Sequence, residues 1–239
     1  MENRSQSENW LQREAMLIGA QGIERLKGSS IAVVGIGGVG CGVVEALARA
    51  GVGKIILMDF DFVSTTNLNR QIGALHSTLE RNKAQVMGER AKDINPDAEI
   101  CVIQERYNES CRERLFDEKP GFIADAIDMV TDKLDLIEQC VKRRIGIISA
   151  MGTGNKLYPE LLEVSNIKNT KECPLARVMR RELKQRGIEN LPVVYSGERP
   201  SGVTVREESG RNIPGSISFV PPVAGMLMAG YIIRSIACT

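Results

Sequence analysis

Histidine and aromatic residues are scarce: His76 is the only imidazole among 239 residues, and aromatics make up 4%. A hydride-transfer enzyme wants an acid or base beside its nicotinamide. With one histidine and no Tyr-x-x-x-Lys pair around Tyr107, Tyr158, Tyr195 or Tyr231, that chemistry is poorly provided for. Stacking of nucleic-acid bases on aromatic rings is likewise inconspicuous. The six cysteines, at 41, 101, 111, 140, 173 and 238, never form a Cys-x-x-Cys pair, which argues against a zinc knuckle and a disulfide framework and fits buried reduced thiols. Cys173, just before Pro174, has no histidine near it in sequence and reads as a buried or capping thiol rather than a nucleophile. A net charge of +1 excludes a uniformly basic nucleic-acid binder but not a local basic patch. The opening MENRSQSENW has no apolar run behind a positive start, so no export signal is read there and a cytoplasmic location is expected. Internal repeats and low-complexity tracts are absent. The long apolar run SFVPPVAGMLMAGYIIRSIACT carries Pro221, Pro222 and Arg234 and barely reaches the roughly 20 residues of a spanning helix; it reads as a buried C-terminal helix or one at a dimer interface.

What is present is an alternation. Apolar runs at 31–35, 54–59, 99–103, 122–128 and 146–150 are separated by helical periodicity at 41–50, 81–94 and 131–143. Continuous apolar strands are buried on both faces, so the pattern predicts an α/β, Rossmann-like, doubly wound and mostly parallel sheet with helices on both faces. One domain is expected over 1–239: an N-terminal helical arm (1–30) broken at Gly19 and Gly22, a nucleotide-binding core (31–150), and a C-terminal sheet extension (151–239). That extension reads as a strand in LYPELLEVSNI, a basic helix from Pro174 to Gly187, a strand in LPVVYS, a mobile loop near 197–216, and the apolar helix.

At 33–40 the chain reads VVGIGGVG, and Gly35, Gly37 and Gly40 match G-x-G-x-x-G between a strand and a helix. Backbone N–H groups and a helix N-terminus there face a phosphate, of a dinucleotide or of ATP. Asp59 ends the second strand, where a carboxylate takes ribose hydroxyls. Cleaving ATP further requires cations on the departing group and a carboxylate for magnesium. DFDFVSTTNLNRQ places Asn67 and Arg70 three apart, on what would be one helical turn; Lys83 follows at the next helix start; ADAID sets Asp128 at the carboxyl edge of the sheet. Each has a plain alternative: Asn67 as a helix cap, Arg70 as a surface charge, Lys83 as a solvated helix residue, Asp128 as a cap for a helix near Thr131. As an ordered set around a glycine loop they favour ATP over NAD.

GIGGVG, MDFDFV, TNLNRQ, Lys83 and AIDMVTDK stand in the order and spacing of the ubiquitin-activating-like adenylyltransferases, and the chain resembles that family from about residue 10 to 150. QREAMLIG, GVGKIILMDFD, INPDAEI, DAIDMVTDKLDLI, SAMGTGNKLYP and CPLARVMRREL are similar to its tRNA threonylcarbamoyladenosine dehydratase branch. The resemblance implies ATP-dependent closure of the threonylcarbamoyl group on adenosine 37 of tRNA through an acyl-adenylate. It further implies that Gly35, Gly37, Gly38 and Gly40 cradle phosphates, Asp59 binds ribose, Asn67, Arg70 and Lys83 contact phosphates, and Asp128 holds Mg2+. Arg13 resembles an arginine that relatives insert into a partner subunit's ATP site, implying a homodimer. Where the family often carries a histidine and a glycine-proline-like turn, this chain has Gly73 and Glu80-Arg81-Asn82 before Lys83. The alternatives are adenylation of a ubiquitin-like or sulfur-carrier C-terminus, and an NAD-dependent oxidoreductase. Whether a sulfur-transfer or cysteine desulfurase system is a partner stays open.

A tRNA substrate requires basic residues sorted onto one face. Arg177, Arg180, Arg181 and Lys184 share helical spacing and form the first candidate stripe; Lys142, Arg143 and Arg144 form a second. The plain alternative for the first is a solvated helix face beside Glu182.

Overall fold

The computed structural model describes residues 10–202, 204–206 and 212–238. Six strands run parallel: β1 (Ser30–Val34), β2 (Lys54–Met58), β3 (Glu99–Ile103), β4 (Phe122–Asp125), β5 (Gly146–Ala150) and β7 (Pro192–Ser196). Strand β6 (Leu162–Asn166) pairs antiparallel with β7 and closes one edge, giving the order β3-β2-β1-β4-β5-β7-β6. The chain winds outward from β1 in one direction through β2 and β3, then returns to place β4 on the other side of β1. That reversal opens a crevice at the carboxyl ends of β1 and β4, where ligands bind in open α/β sheets.

The apolar strands are buried on both faces because alternate residues serve two cores. Ile31, Val33, Ile55 and Leu57 face helices α2 (Gly38–Arg49), α3 (Lys83–Ile94) and α7 (Val220–Ala237). Ala32, Val34, Ile56 and Met58 face α5 (Val130–Arg143) and α6 (Pro174–Gln185). Helix α7 is the one described helix long and apolar enough to cross a membrane. Here it lies along α2, with Ala224, Met228 and Ile232 fully buried. Its prolines sit in the first turn, where no N–H is needed for the helix ladder.

Expected elements and observed ones differ in a few places. Helix α1 (Gln12–Lys27) breaks at Gly19 (φ 73°), while Gly22 stays helical against the end of α7. The strand expected over 122–128 stops at Asp125, and its last three residues form the loop that carries Asp128. A short helix, α4 (Arg112–Asp117), has no counterpart in the sequence pattern. Within the stretch expected as a loop over 197–216, β8 (Thr204–Arg206) and β9 (Asn212–Pro214) pair as an antiparallel ribbon; 203 and 207–211 lie outside the described residues.

Candidate active site

The crevice at the topological switch is a cleft of about 670 Å³. Its floor is the glycine loop. Gly35 adopts φ +88°, and a Cβ there would stand 2.6 Å from the carbonyl oxygen of Ala126, so only glycine lets the loop after β1 lie against the loop after β4. Gly37 and Gly38 line the cleft at the N-terminus of α2. Gly40 does not line it: a Cβ there would come within 1.9 Å of the Gly35 carbonyl oxygen. Its position serves close helix-to-loop packing, which departs from the phosphate cradle that the resemblance implied for it.

Asp59 lies at the end of β2, its Oδ2 accepting the Ile36 N–H at 2.6 Å and its Oδ1 the Asp61 N–H at 2.8 Å. Burial pushes this carboxyl above its usual range, partly offset by those two donors and by Lys83. Two oxygens with further lone pairs facing the cleft suit a ribose diol. Lys83 opens α3 and is 9% exposed, far from the solvated helix residue of the plain alternative. Its Nζ meets Asp61 Oδ2 at 2.8 Å. The geometry in front of it is set by Asn82, whose Oδ1 caps α3 by accepting the Gln85 N–H and whose Nδ2 donates to the carbonyls of Asp59 and Asp61. Asn82 thereby ties the start of α3 to the end of β2, the task that a different turn would perform.

Residues Thr65–Asn67 form a 3₁₀ turn, with the buried Asn67 accepting the Ser64 N–H on its Oδ1 at 3.1 Å. Arg70 lies in the turn that follows from Asn67, whose carbonyl accepts the N–H groups of Arg70 at 3.1 Å and Gln71 at 3.0 Å. Asn67 and Arg70 both line the cleft. Arg70 Nη1 donates to the Thr66 carbonyl and to Asn69 Oδ1, which orients the guanidinium and leaves Nε and Nη2 without a protein acceptor among the described residues. Asp128 lines the opposite wall on the loop after β4; helix α5 begins at Val130 with Met129 before it, so Asp128 is not its N-cap. The rim is completed by Thr153, Gly154, Pro221 and residues 213–216. The 213–216 segment is stapled there by Asn155, which exchanges hydrogen bonds with Gly215, and by Asn69 Nδ2, which donates to the Ser216 carbonyl.

Other named residues fall elsewhere. Arg13 is exposed on α1, outside the cleft. On α6, Ala176, Met179 and Leu183 are buried, and Arg177, Arg181 and Lys184 face solvent. Arg180 is turned inward, its Nη1 held by the Thr170 carbonyl and hydroxyl at 2.8 and 2.7 Å, and Arg181 pairs with Glu182. In the second basic group Lys142 pairs with Glu138 and Arg143 with Glu113, whereas Arg144 ends α5 in the left-handed conformation. Cys173 is buried, and burial pushes the Cys41 thiol up to about 11. Cleft residues that the sequence pattern does not single out include Asp61, Arg106, Tyr107 and Asp132. Asp61 is visible as the second acid of MDFD. The others have no local signal, because they meet the site only through the packing of α5: Arg106 pairs with Asp132 at 2.7 Å, and Tyr107 donates to Asp135 at 2.8 Å.

Three cations (Arg70, Lys83, Arg106) line the cleft against five carboxylates (Asp59, Asp61, Glu105, Asp128, Asp132). Two of those cations are already paired with cleft acids. A polyphosphate fits such a wall with a divalent cation between them. No cluster of three or more metal-binding side chains occurs among the described residues.

The model of the ThiF family matches residues 11–239. A Bacillus subtilis protein named tRNA threonylcarbamoyladenosine dehydratase is 38% identical over 238 residues, covering 94% of this chain and 93% of that one. An Escherichia coli protein of the same name is 37% identical over 181 residues, covering 74% and 68%. The solved structure of E. coli tRNA N6-threonylcarbamoyladenosine dehydratase in complex with ATP superposes with a TM-score of 0.87, at 30% identity, covering 97% of this chain and 96% of that one.

Proposed function

Because the chain belongs to the ThiF family, we propose that it is an ATP-dependent tRNA threonylcarbamoyladenosine dehydratase, closing the threonylcarbamoyl group of adenosine 37 into a ring with net loss of water. The observation that carries this reading is the end-to-end match with the Bacillus protein of that name, over 94% of this chain and 93% of the other.

The residues suit the chemistry. The substrate carboxylate is ionised at neutral pH and attacks the α-phosphate of ATP; the bond to pyrophosphate breaks and an acyl-adenylate forms. A nitrogen or oxygen of the same nucleoside then displaces AMP. The first step needs no general base, in keeping with a cleft that His76 does not line. The protein's task is to position the reactants and neutralise charge on the leaving group. Asp59 takes the ribose hydroxyls; N–H groups of the loop around Gly35, Gly37 and Gly38 hold phosphate oxygens; Asn67, Arg70 and Lys83 meet the phosphates. Asp128 would hold Mg2+, which when bound supplies charge neutralisation across the phosphates.

The working unit is a homodimer in which Arg13 of each subunit reaches the other's cleft. Arg177, Arg181 and Lys184 contact the tRNA backbone, and Arg180, committed to Thr170, holds that helix in place. A cytoplasmic location fits a tRNA-modifying enzyme. A sulfur-transfer or cysteine desulfurase system is kept as a candidate protein partner.

Incubating the protein with ATP and tRNA bearing threonylcarbamoyladenosine, then weighing the nucleosides by mass spectrometry, tests the proposal. A modified nucleoside lighter by one water, with AMP and pyrophosphate released, is expected. Pyrophosphate release that depends on a diglycine-ended carrier and not on modified tRNA would assign the cleft to carrier activation instead, and NAD(H) binding without ATP turnover would assign it to oxidoreduction.

A further inference from the structure

Lys133 heads the largest side chains that are fully buried, and it is the only charged one among them. It lies in the opening turns of α5 with its Nζ 2.8 Å from Asp125 Oδ2, and neither side chain touches solvent. Ser149, fully buried on β5, donates its hydroxyl to the same oxygen at 2.6 Å. The other oxygen, Oδ1, accepts the backbone N–H of Ile127 at 3.1 Å. One carboxylate at the end of β4 is thus bound by the neighbouring strand, by the following helix, and by the loop that leaves it.

As core filling this would be a poor choice. Two charges withdrawn from water lose their hydration, and apolar side chains of similar volume often serve stability as well or better. What an ion pair adds is direction: a carboxylate locked by two donors presents its remaining oxygen at a fixed point, and the Ile127 N–H must meet it there. The loop of 126–129 is fixed at further points. The Ala126 N–H donates to the Val34 carbonyl at 2.9 Å, and the Lys133 N–H donates to the Met129 carbonyl at 3.0 Å. Gly35 presses against Ala126 from the floor of the cleft. Asp128 lies between Ile127 and Met129, so the backbone on both its sides is pinned.

We propose that Asp125, Lys133 and Ser149 form a buried positioning device that sets, through the Ile127 N–H, where the Asp128 carboxylate stands to receive the divalent cation accompanying the nucleotide. None of the three lines the cleft, so they act only through the loop. The inference rests on the reading of Asp128 as the cation's residue given above.

Two variants keep the device testable. Ser149→Ala removes one donor without leaving a buried charge unpaired, and the double substitution Asp125→Asn with Lys133→Met removes both charges together. For each, thermal midpoint, nucleotide affinity in EDTA by calorimetry, Mg2+ affinity of the protein–ATP complex, and amide exchange across 122–130 are measured. The expected result is a folded protein with metal-free ATP affinity within about twofold of wild type and a half-saturating Mg2+ concentration raised roughly tenfold or more, the size seen when a ligand's supporting partner is lost. Faster exchange should be confined to the loop. Unchanged Mg2+ affinity in folded variants overturns the proposal and leaves the ion pair a structural brace. Should the double variant fail to fold, Ser149→Ala decides. Asp128→Asn serves as the reference: if it weakens Mg2+ binding while the other variants do not, only the positioning device is wrong. If Asp128→Asn itself leaves Mg2+ binding untouched, the reading of Asp128 falls and takes the device with it.

Discussion

Lys83 Nζ stands 2.8 Å from Asp61 Oδ2, a cation buried at the head of a helix and tethered by a carboxylate that is half open to the cleft. The pair places Lys83 beside the nucleotide wall and limits what its loss does to the fold, since a half-exposed ion pair is worth at most about 1 kcal/mol. Lys83→Ala should therefore leave the thermal midpoint within a few degrees while slowing pyrophosphate release roughly 10²–10³-fold, the scale of removing one group that stabilises developing charge. Asp61→Asn should act in the opposite sense on nucleotide affinity, because it loosens the tether and keeps the cation. Calorimetry with ATP and a pyrophosphate-release assay separate the two; equal losses in both variants would mean that the pair serves the fold alone.

The glycine loop offers a sharper contrast. A Cβ at Gly37, where φ is −85°, meets nothing within 4 Å, whereas one at Gly40 meets a backbone oxygen at 1.9 Å. Gly37→Ala should fold with an unchanged or slightly higher thermal midpoint, as the unfolded chain loses freedom. Its ATP affinity should fall, because the new methyl group stands where a phosphate approaches the backbone. Gly40→Ala should lose on the order of 3 kcal/mol or more through overpacking, visible as a lower urea midpoint before any ligand is added.

Glu45 on α2 braces α3. Burial alone would raise its pKa, but hydrogen bonds from Arg90 and Arg49 outweigh that and hold the carboxyl below its usual value of 4.5. A depressed folded pKa means stability that is present above the unfolded value and lost as pH falls through the folded one. Glu45→Gln should therefore destabilise the protein at pH 7 by about 1 kcal/mol, both guanidiniums being partly solvated. The gap between variant and wild type should close as pH falls below 4.5. Thermal melts at several pH values check both the size and the slope; a gap that persists unchanged in acid would contradict the assignment.

On α6 the outward charges are Arg177, Arg181 and Lys184. Replacing Arg177 and Lys184 by Glu should raise the tRNA concentration needed for half-maximal turnover. It should also flatten the dependence on salt, by roughly one unit of logarithmic slope for each phosphate that the protein no longer touches. ATP affinity should stay as in wild type. A tRNA dependence that does not move would return the stripe to a solvated helix face.

Subunit mixing tests Arg13. If it completes the partner's cleft, Arg13→Ala and Asp59→Ala proteins should each be weakly active alone. Mixed under exchange, they should recover roughly a quarter of wild-type sites, since one site in each hybrid is whole. No recovery would place Arg13 outside the reaction.

The strands are legible in the sequence because each is a short apolar run, and a run buried on both faces needs no partner information to be recognised. The site is legible where its residues follow a strand end, as the glycine loop, Asp59 and Asp128 do, and where a short polar block carries them, as with Asn67, Arg70 and Lys83. The spacing of Asn67 and Arg70 suggests one helical turn, and the Asn67 carbonyl does accept the Arg70 and Gln71 N–H groups, but the segment is an isolated turn entered through a 3₁₀ turn at Thr65–Asn67. Helix α4 has only six residues, too few to show a period. Lys133 looks like any helix lysine, since what buries it is Asp125 on a different element and Ser149 on a third. Residues 213–216 reach the cleft through Asn155 and Asn69, hydrogen bonds between positions far apart in the chain that leave no local trace.

A Cβ on Gly38 would lie 2.9 Å from Pro221, and one on Gly225 would lie 2.2 Å from the carbonyl oxygen of Val39. The phosphate-facing turn thus rests on a helix far away in the sequence. During folding the glycine loop lacks this backing until α7 docks along α2, a closure that spans most of the chain. ATP capture is therefore expected to appear only with that long-range docking, after the local strands and helices have formed.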